Sequence, residues 1–499
     1  MKPLSLSEWA SKAETVDIPD QAWINGQPTA SLSGNTRPCN NPATGQVLAH
    51  VAECQIEDAE VAVKSARDAF NSGSWSNLSP GKRKRILLKW ADLMHQQREE
   101  LALLETLDVG KPISDTLSVD VPGAISTIQW TAEAIDKVYG EVAPSAQGTL
   151  ALIQRLPLGV VLAIVPWNFP LSTTAWKLAP ALAAGNSVIL KPDPKTPLTA
   201  LKLAELATQA GIPDGVLNVL PGDGLPLGKH LSLHPDIDGQ SFTGSTNVGK
   251  LLMQYSGQSN LKRTFLELGG KSANIVFADA DLDTAAQMAA VAGFYNGGQT
   301  CTAGTRLLIQ ENIYDEFIER VATYAPVWTP GNPLDPDTRM GAIIDRNQVD
   351  TIQKYVRIGQ QEGAELAFGG DAISGLGGDL AGVYHQPTLF KGVDNGMTIA
   401  REEIFGPVVS AIPFRDAEDA IRIANDSPYG LAGAVWSQNI STALSVANGV
   451  RTGTMGVNNY FGGDITVPFG GFGESGNGRD KSIHALHDYT ELKTTWIEY

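Results

Sequence analysis

From residue 160 to residue 294 the chain alternates short apolar segments with helical ones, and few architectures accommodate that rhythm. Val160–Val165, Ser187–Leu190, Val216–Val219 and Gln240–Phe242 read as strands separated by helices. The helical segment Leu198–Ala210 stops at Gly211, a residue that closes helices in the left-handed conformation. Strands alternating with helices build a parallel, doubly wound sheet, which binds nucleotides at the carboxyl ends of its strands. A second set, Ala273–Phe277 followed by the Ala-rich Leu282–Phe294, points to another α/β unit. The fold class expected is α/β.

Before this region the chain reads as largely helical after a turn-rich start. Ser79-Pro80 opens a long amphipathic helix with Ile86, Leu87, Trp90, Leu93 and Met94 at helical spacing, stopped by Gly110-Lys111-Pro112. The tail Thr490–Tyr499 reads as a strand with nothing after it to pair with, so a second subunit is the expected partner. A length of 499 residues implies two or three domains. The net charge of −17 argues against nucleic acid or an anionic membrane as a partner. The longest apolar run, Leu158–Val165, is too short to span a bilayer. Cys39, Cys54 and Cys301 form no Cys-x-x-Cys pair, so neither a disulfide framework nor a structural metal is expected. A cytoplasmic enzyme is the expectation.

Cys301 follows Gly297-Gly298-Gln299-Thr300, directly after an apolar helix. A buried core cysteine is the plain alternative, but the glycine pair permits close backbone approach to a ligand and the flanking threonines are poor core neighbours. A thiol nucleophile needs a base and an oxyanion site. None of the seven histidines is near Cys301 in sequence, so a carboxylate base fits better. Glu267 ends an apolar segment before Leu268-Gly269-Gly270-Lys271, where it is either working or paired with Lys271. In Pro166-Trp167-Asn168-Phe169-Pro170 two prolines hold Asn168 rigidly, as an amide donor or as an ordinary turn residue.

Phe242-Thr243-Gly244-Ser245, running on to Gly249, lies at a strand-to-helix turn suited to a pyrophosphate, though it lacks the Gly-x-Gly-x-x-Gly fingerprint. Lys191-Pro192 ends an earlier strand and reaches toward an adenosine ribose, unless Lys191 is simply solvated. In Glu402-Glu403-Ile404-Phe405-Gly406-Pro407 the acidic pair offers a carboxylate to ribose hydroxyls, and Phe405 offers a ring beside a nicotinamide. A surface acidic pair is the plainer account.

Taken together and in this order, these segments resemble the aldehyde dehydrogenase superfamily, with Pro468-Phe469-Gly470-Gly471 and Ser475-Gly476-Asn477-Gly478-Arg479 completing the pattern over nearly the whole chain. The resemblance implies a Rossmann-like cofactor domain (1–139 and 157–267), an α/β catalytic domain (268–483) and a small β oligomerisation element (140–156 and 484–499). It implies homodimers or homotetramers, NAD or NADP as cofactor, and no metal. Position by position, it makes Cys301 the nucleophile, Glu267 the general base and Asn168, with the Cys301 N–H, the oxyanion hole. Ile164, Val165, Trp167, Lys191, Gly224, Gly228, Ser245, Leu268, Glu403 and Phe405 fall at cofactor positions. Lys177 and Asp480 fall at proton-relay positions, or form a structural ion pair.

One departure bears on the cofactor. The family often has Lys-Pro-x-Glu where this chain has Lys191-Pro192-Asp193-Pro194, so the carboxylate that repels a 2′-phosphate is missing and NADP should be accepted beside NAD. Leu101–Pro112, Glu133–Val142 and the stretch from Asn458 to Trp496 look similar to bacterial omega-aminoaldehyde dehydrogenases of polyamine and arginine breakdown. That similarity implies 4-(gamma-glutamylamino)butanal, 4-guanidinobutanal or 4-aminobutanal, a tunnel lined by Phe169, Trp176 and Phe469, and Asp120 at its entrance reading a cationic or amide tail. A broad short-chain or betaine aldehyde dehydrogenase and, from another class, a cysteine-dependent esterase are the alternatives.

Overall fold

The computed structural model describes residues 4–499. Two seven-stranded sheets organise it. In the first, Arg263–Glu267, Gly239–Thr243, Val160–Ile164, Ser187–Lys191 and Leu217–Val219 lie side by side and parallel. Every residue of Ser187–Lys191 and Gly239–Thr243 is buried, as expected of a sheet covered on both faces. Helices Leu198–Ala210 and Leu282–Phe294 occupy the residues that their patterns mark, and Gly211 closes the first at φ +107°.

The sheet is not purely parallel. Ala22–Ile24 joins its edge antiparallel to Leu217–Val219, and Gln27–Thr29 follows. The turn-rich start therefore contains strands, among them the ladder of Thr36–Asn40 with Val47–Ala52. Strands of three residues are too short for an alternation to be read. The long N-terminal helix also divides, into Pro80–Gln96 and Arg98–Val109, because Gln97 leaves the helical region at φ −103°, ψ 22°.

The second sheet runs in the order Glu365–Phe368, Thr388–Lys391, Val408–Phe414, Arg306–Gln310, Ala273–Val276, Ala432–Trp436 and Thr454–Val457. All its pairs are parallel except the first. The tail is paired within the chain: Thr490–Glu498 runs antiparallel to Thr149–Pro157, which also pairs with Glu141–Ala143. Its partner lies some 340 residues earlier, which is why no local signal revealed it.

The sheets set up the site by opposing their ends. Ile164, Lys191, Thr243 and Glu267 end adjacent parallel strands of the first sheet. Residues 301 and 403–405 precede strands Arg306–Gln310 and Val408–Phe414 of the second. The crevice between carries one cavity of about 730 Å³.

Candidate active site

Cys301, Asn168 and Glu267 all line this cavity, although they are up to 133 residues apart in sequence. Asn168 follows the strand Val160–Ile164, and its Nδ2 donates to Gln299 O at 2.8 Å. The Asn168 carbonyl accepts from Asn296 Nδ2 at 3.1 Å. The turn bearing the amide is thus clamped to the segment bearing the thiol.

That segment is wound the unusual way. Asn296, Gly297 and Gly298 have φ of +52°, +62° and +68°, a left-handed stretch that only glycine tolerates freely. The close approach that the glycines permit is to backbone and not to a ligand, since a Cβ at Gly298 would stand 2.2 Å from Gly406 O. A Cβ at Gly270 would likewise meet Cys301 O at 2.6 Å. Tyr460 Oη donates to Thr302 O at 2.7 Å and fixes the far side of the loop.

Electrostatics keep the thiol protonated at rest. Burial raises the Cys301 pKa well above its ordinary value, the nearby Glu267 and Glu403 raise it further, and the N–H groups of Thr302 and Cys301 oppose them. Glu267 is pushed up to about 8, first by burial and also by Asp480 and Glu403, against Lys177 and the Cys301 thiol. Its Oε1 is buried without a hydrogen-bond partner, so it is free to accept a proton from whatever enters the cavity. The Glu267–Lys271 pair does not form. Lys271 Nζ is itself buried and unpartnered, and burial lowers its pKa to about 7. Lys177 and Asp480 do pair, at 2.7 and 2.9 Å, both buried and sharing a small cavity with Glu267.

The residues expected at the cofactor fall into two groups. Trp167, Gly244, Ser245, Glu403 and Phe405 line the Cys301 cavity. Ser245 caps the 13-residue helix Thr246–Gln258, whose unpaired N–H groups suit a pyrophosphate. Glu403 Oε1 accepts from Gly270 N at 3.0 Å, and burial raises its pKa to about 7. Phe405, at φ +57°, meets Trp167 edge-on at 5.2 Å, and Gln348 Nε2 donates to Phe405 O at 2.8 Å.

The second group builds the floor and the adjoining sheet edge. Ile164 is in register with Lys191, and the Val165 N–H donates to Lys191 O at 3.2 Å. Lys191 is buried, not solvated; its Nζ donates to Pro192 O at 3.2 Å, and Gly228 stands against its side chain. Gly224 and Gly228 bound a kinked segment in which Leu225 is extended at φ −125°, ψ 124°. Phe242, Gly249 and Leu268 pack the turn from beneath: a Cβ at Gly244 would strike the Phe242 ring, and one at Gly249 the Leu268 methyls. Asp193 Oδ1 accepts the Lys195 N–H at 3.0 Å.

Phe169, Trp176 and Phe469 line the cavity as expected, joined by Tyr295 and Phe461. Trp176 and Phe469 lie 5.2 Å apart, and Phe169 stacks on Tyr295 at 6.2 Å. Asp120 is fully buried just outside the cavity lining, and its carboxylate accepts from Lys111 Nζ at 3.0 and 3.1 Å and from the lining Ser172 Oγ at 3.4 Å. A charge held this way is not a solvated cap. Lys111 Nζ also sits 3.7 Å from the Phe169 ring centroid and so backs the aromatic wall. Sequence reasoning missed Gln348, Tyr460, Tyr295 and Lys481, whose roles come from tertiary contacts and leave no local motif.

Among the described residues, the His/Cys/Asp/Glu grouping close enough to share an ion is Glu60, His230 and His234. It lies outside the cavity, and His234 Nδ1 already accepts the Asp236 N–H at 3.1 Å. None of the helices of the described residues is long and apolar enough to cross a membrane.

The aldehyde dehydrogenase family model matches residues 29–495. The NADP/NAD-dependent aldehyde dehydrogenase PuuC of Escherichia coli is 52% identical over 493 residues, covering 99% of this chain and 98% of that protein. The structure of the Pseudomonas syringae indole-3-acetaldehyde dehydrogenase AldA with NAD+ and IAA superposes with a TM-score of 0.98 at 54% identity, covering 100% of both chains. That of a gamma-glutamyl-gamma-aminobutyraldehyde dehydrogenase from Burkholderia cenocepacia gives 0.96 at 54%, covering 99% of this chain and 100% of the other.

Proposed function

The chain belongs to the aldehyde dehydrogenase family and is an NAD(P)-dependent aldehyde dehydrogenase, and from that premise we propose that it oxidises an omega-substituted butanal of polyamine or arginine breakdown. 4-(Gamma-glutamylamino)butanal leads, with 4-guanidinobutanal and 4-aminobutanal beside it. The observation that carries the reading is the convergence of Cys301, Asn168 and Glu267 in one cavity with Ser245, Glu403 and Phe405. The similarity to PuuC and to the Burkholderia enzyme supports the substrate.

In this reading the first sheet carries the cofactor and residues 268–483 carry the nucleophile. Cys301 gives up its proton to solvent and its thiolate attacks the aldehyde carbon, giving a thiohemiacetal. The Asn168 amide and the Cys301 N–H stabilise the charge on oxygen. A nicotinamide cofactor held at Ser245, Glu403 and Phe405 would supply the hydride acceptor. Glu267 then withdraws a proton from the water that cleaves the Cys301 thioester, and the Lys177–Asp480 pair carries that proton onward. A cysteine-dependent esterase would share the thiol and base but would have no use for Glu403 and Phe405.

The aromatic wall favours a second substrate class, planar arylalkyl aldehydes such as the one that names the Pseudomonas syringae relative. Steady-state kinetics decide between them. The butanal derivatives should exceed indole-3-acetaldehyde and betaine aldehyde in kcat/KM by tenfold or more; the reverse order would overturn the substrate assignment. Three unpaired cysteines support a cytoplasmic setting, and the exposed Leu492 and Trp496 on the open edge strand of the three-stranded sheet support a homodimer or homotetramer.

A further inference from the structure

We propose that Lys481 determines substrate specificity by holding a carboxylate at the distal end of the aldehyde; this rests on the dehydrogenase reading and narrows its substrate class. Of the side chains that line the cavity, three are charged: Glu267, Glu403 and Lys481. The two glutamates stand at the thiol and at the cofactor turn. Lys481 supplies the charge left for the rest of the substrate, and it is positive.

Its placement is built. Lys481 and Ser482 have φ of +62° and +53°, two successive non-glycine residues in the left-handed region, a conformation kept only where the surroundings enforce it. The Ser482 N–H is held by Ile465 O at 2.8 Å, and Asp480 by its ion pair with Lys177 and a backbone pairing with Phe469. These restraints turn Lys481 away from Asp480 and over the aromatic wall. Its Nζ lies 4.6 Å from the Trp176 ring centroid and 5.4 Å from that of Phe469. Ring faces stabilise an ammonium but neutralise none of its charge. Among the described residues no carboxylate reaches ion-pair distance of this Nζ. Asp480 is taken by Lys177, and the fields of Asp464 and of the Cys301 thiol also reach Lys481.

A half-buried ammonium with no carboxylate at ion-pair distance is a site for one. An aldehyde whose tail ends in a carboxylate supplies it, as the gamma-glutamylamino tail does. A tail ending in a lone ammonium or guanidinium meets repulsion from Lys481, while Asp120 is paired with Lys111 and does not line the cavity. Among the proposed substrates the gamma-glutamylamino derivative is therefore the preferred one.

The test uses 6-oxohexanoate and hexanal, equal in chain length and differing in the terminal carboxylate, with the full-length enzyme and NAD. The ratio of their kcat/KM values cancels any general loss of turnover. We expect Lys481→Met to lower that ratio tenfold or more, chiefly through the KM for 6-oxohexanoate, and Lys481→Arg to keep it within about threefold of the parent. A ratio that stays within twofold of the parent in Lys481→Met overturns the proposal. Poor use of 4-(gamma-glutamylamino)butanal alongside a ratio that does fall would instead sink the named substrate and leave the charge recognition standing.

Discussion

Burial does more to Glu267 than any charge around it, and its pKa of about 8 follows from a carboxyl closed off from water with one oxygen unpartnered. A base works in its deprotonated form, so turnover limited by thioester hydrolysis should rise as pH rises through about 8 and level off above it. Glu267→Gln should lose about 10²–10⁴-fold in kcat, and its remaining rate should lack that limb between pH 6.5 and 9, as measured by steady-state kinetics. A limb of the same shape in the glutamine variant would assign it elsewhere. At this scale the sequence is informative where chemistry needs a residue type in a fixed local frame, as at Cys301, Glu267 and Asn168. It is silent where meaning comes from a partner. Nothing in the stretch around Asp120 announces that Lys111 will neutralise it, or that Lys481 will stand unpaired over Trp176.

Helix Leu198–Ala210 is legible because local periodicity and the Gly211 cap define it, and Leu282–Phe294 because of its Ala-rich run. The edge strands Ala22–Ile24 and Gln27–Thr29 are not, because their pairing is supplied by residues near 217–219. The segment after Ser187–Lys191 shows both sides of this. Pro194 where relatives often carry Glu is plain from sequence, whereas the capture of Asp193 by the Lys195 N–H needed coordinates. With Pro194 in place of that Glu, NADP should be used beside NAD. Pro194→Glu should shift the ratio of the two kcat/KM values toward NAD by tenfold or more. A parent enzyme that already prefers NAD by about a hundredfold (about 2.7 kcal/mol) would contradict this.

For the whole molecule, the small sheet leaves Leu492 58% and Trp496 60% exposed on one face. Its tail strand is satisfied within the chain along one edge and open along the other. Sedimentation of the parent should give a dimer or tetramer at micromolar concentration, and Leu492→Glu with Trp496→Glu should dissociate it. A monomeric parent would remove this sheet from any assembly role. The two large sheets were expected from the strand–helix rhythm. Their opposition, carboxyl ends of one against amino ends of the other, is a packing outcome that no segment encodes alone, and it is what brings residue 301 to residues 168 and 267.

The central claim is that Cys301 carries the acyl group and Glu267 releases it. Glu267→Gln should form the thioester and fail to hydrolyse it. Acid quenching after aldehyde and NAD are added, followed by mass spectrometry of the intact chain and its peptides, should find the acyl mass on the peptide containing Cys301 at close to one equivalent. Sustained turnover with the acyl group on no cysteine, or on the peptides containing Cys39 or Cys54, would contradict the account.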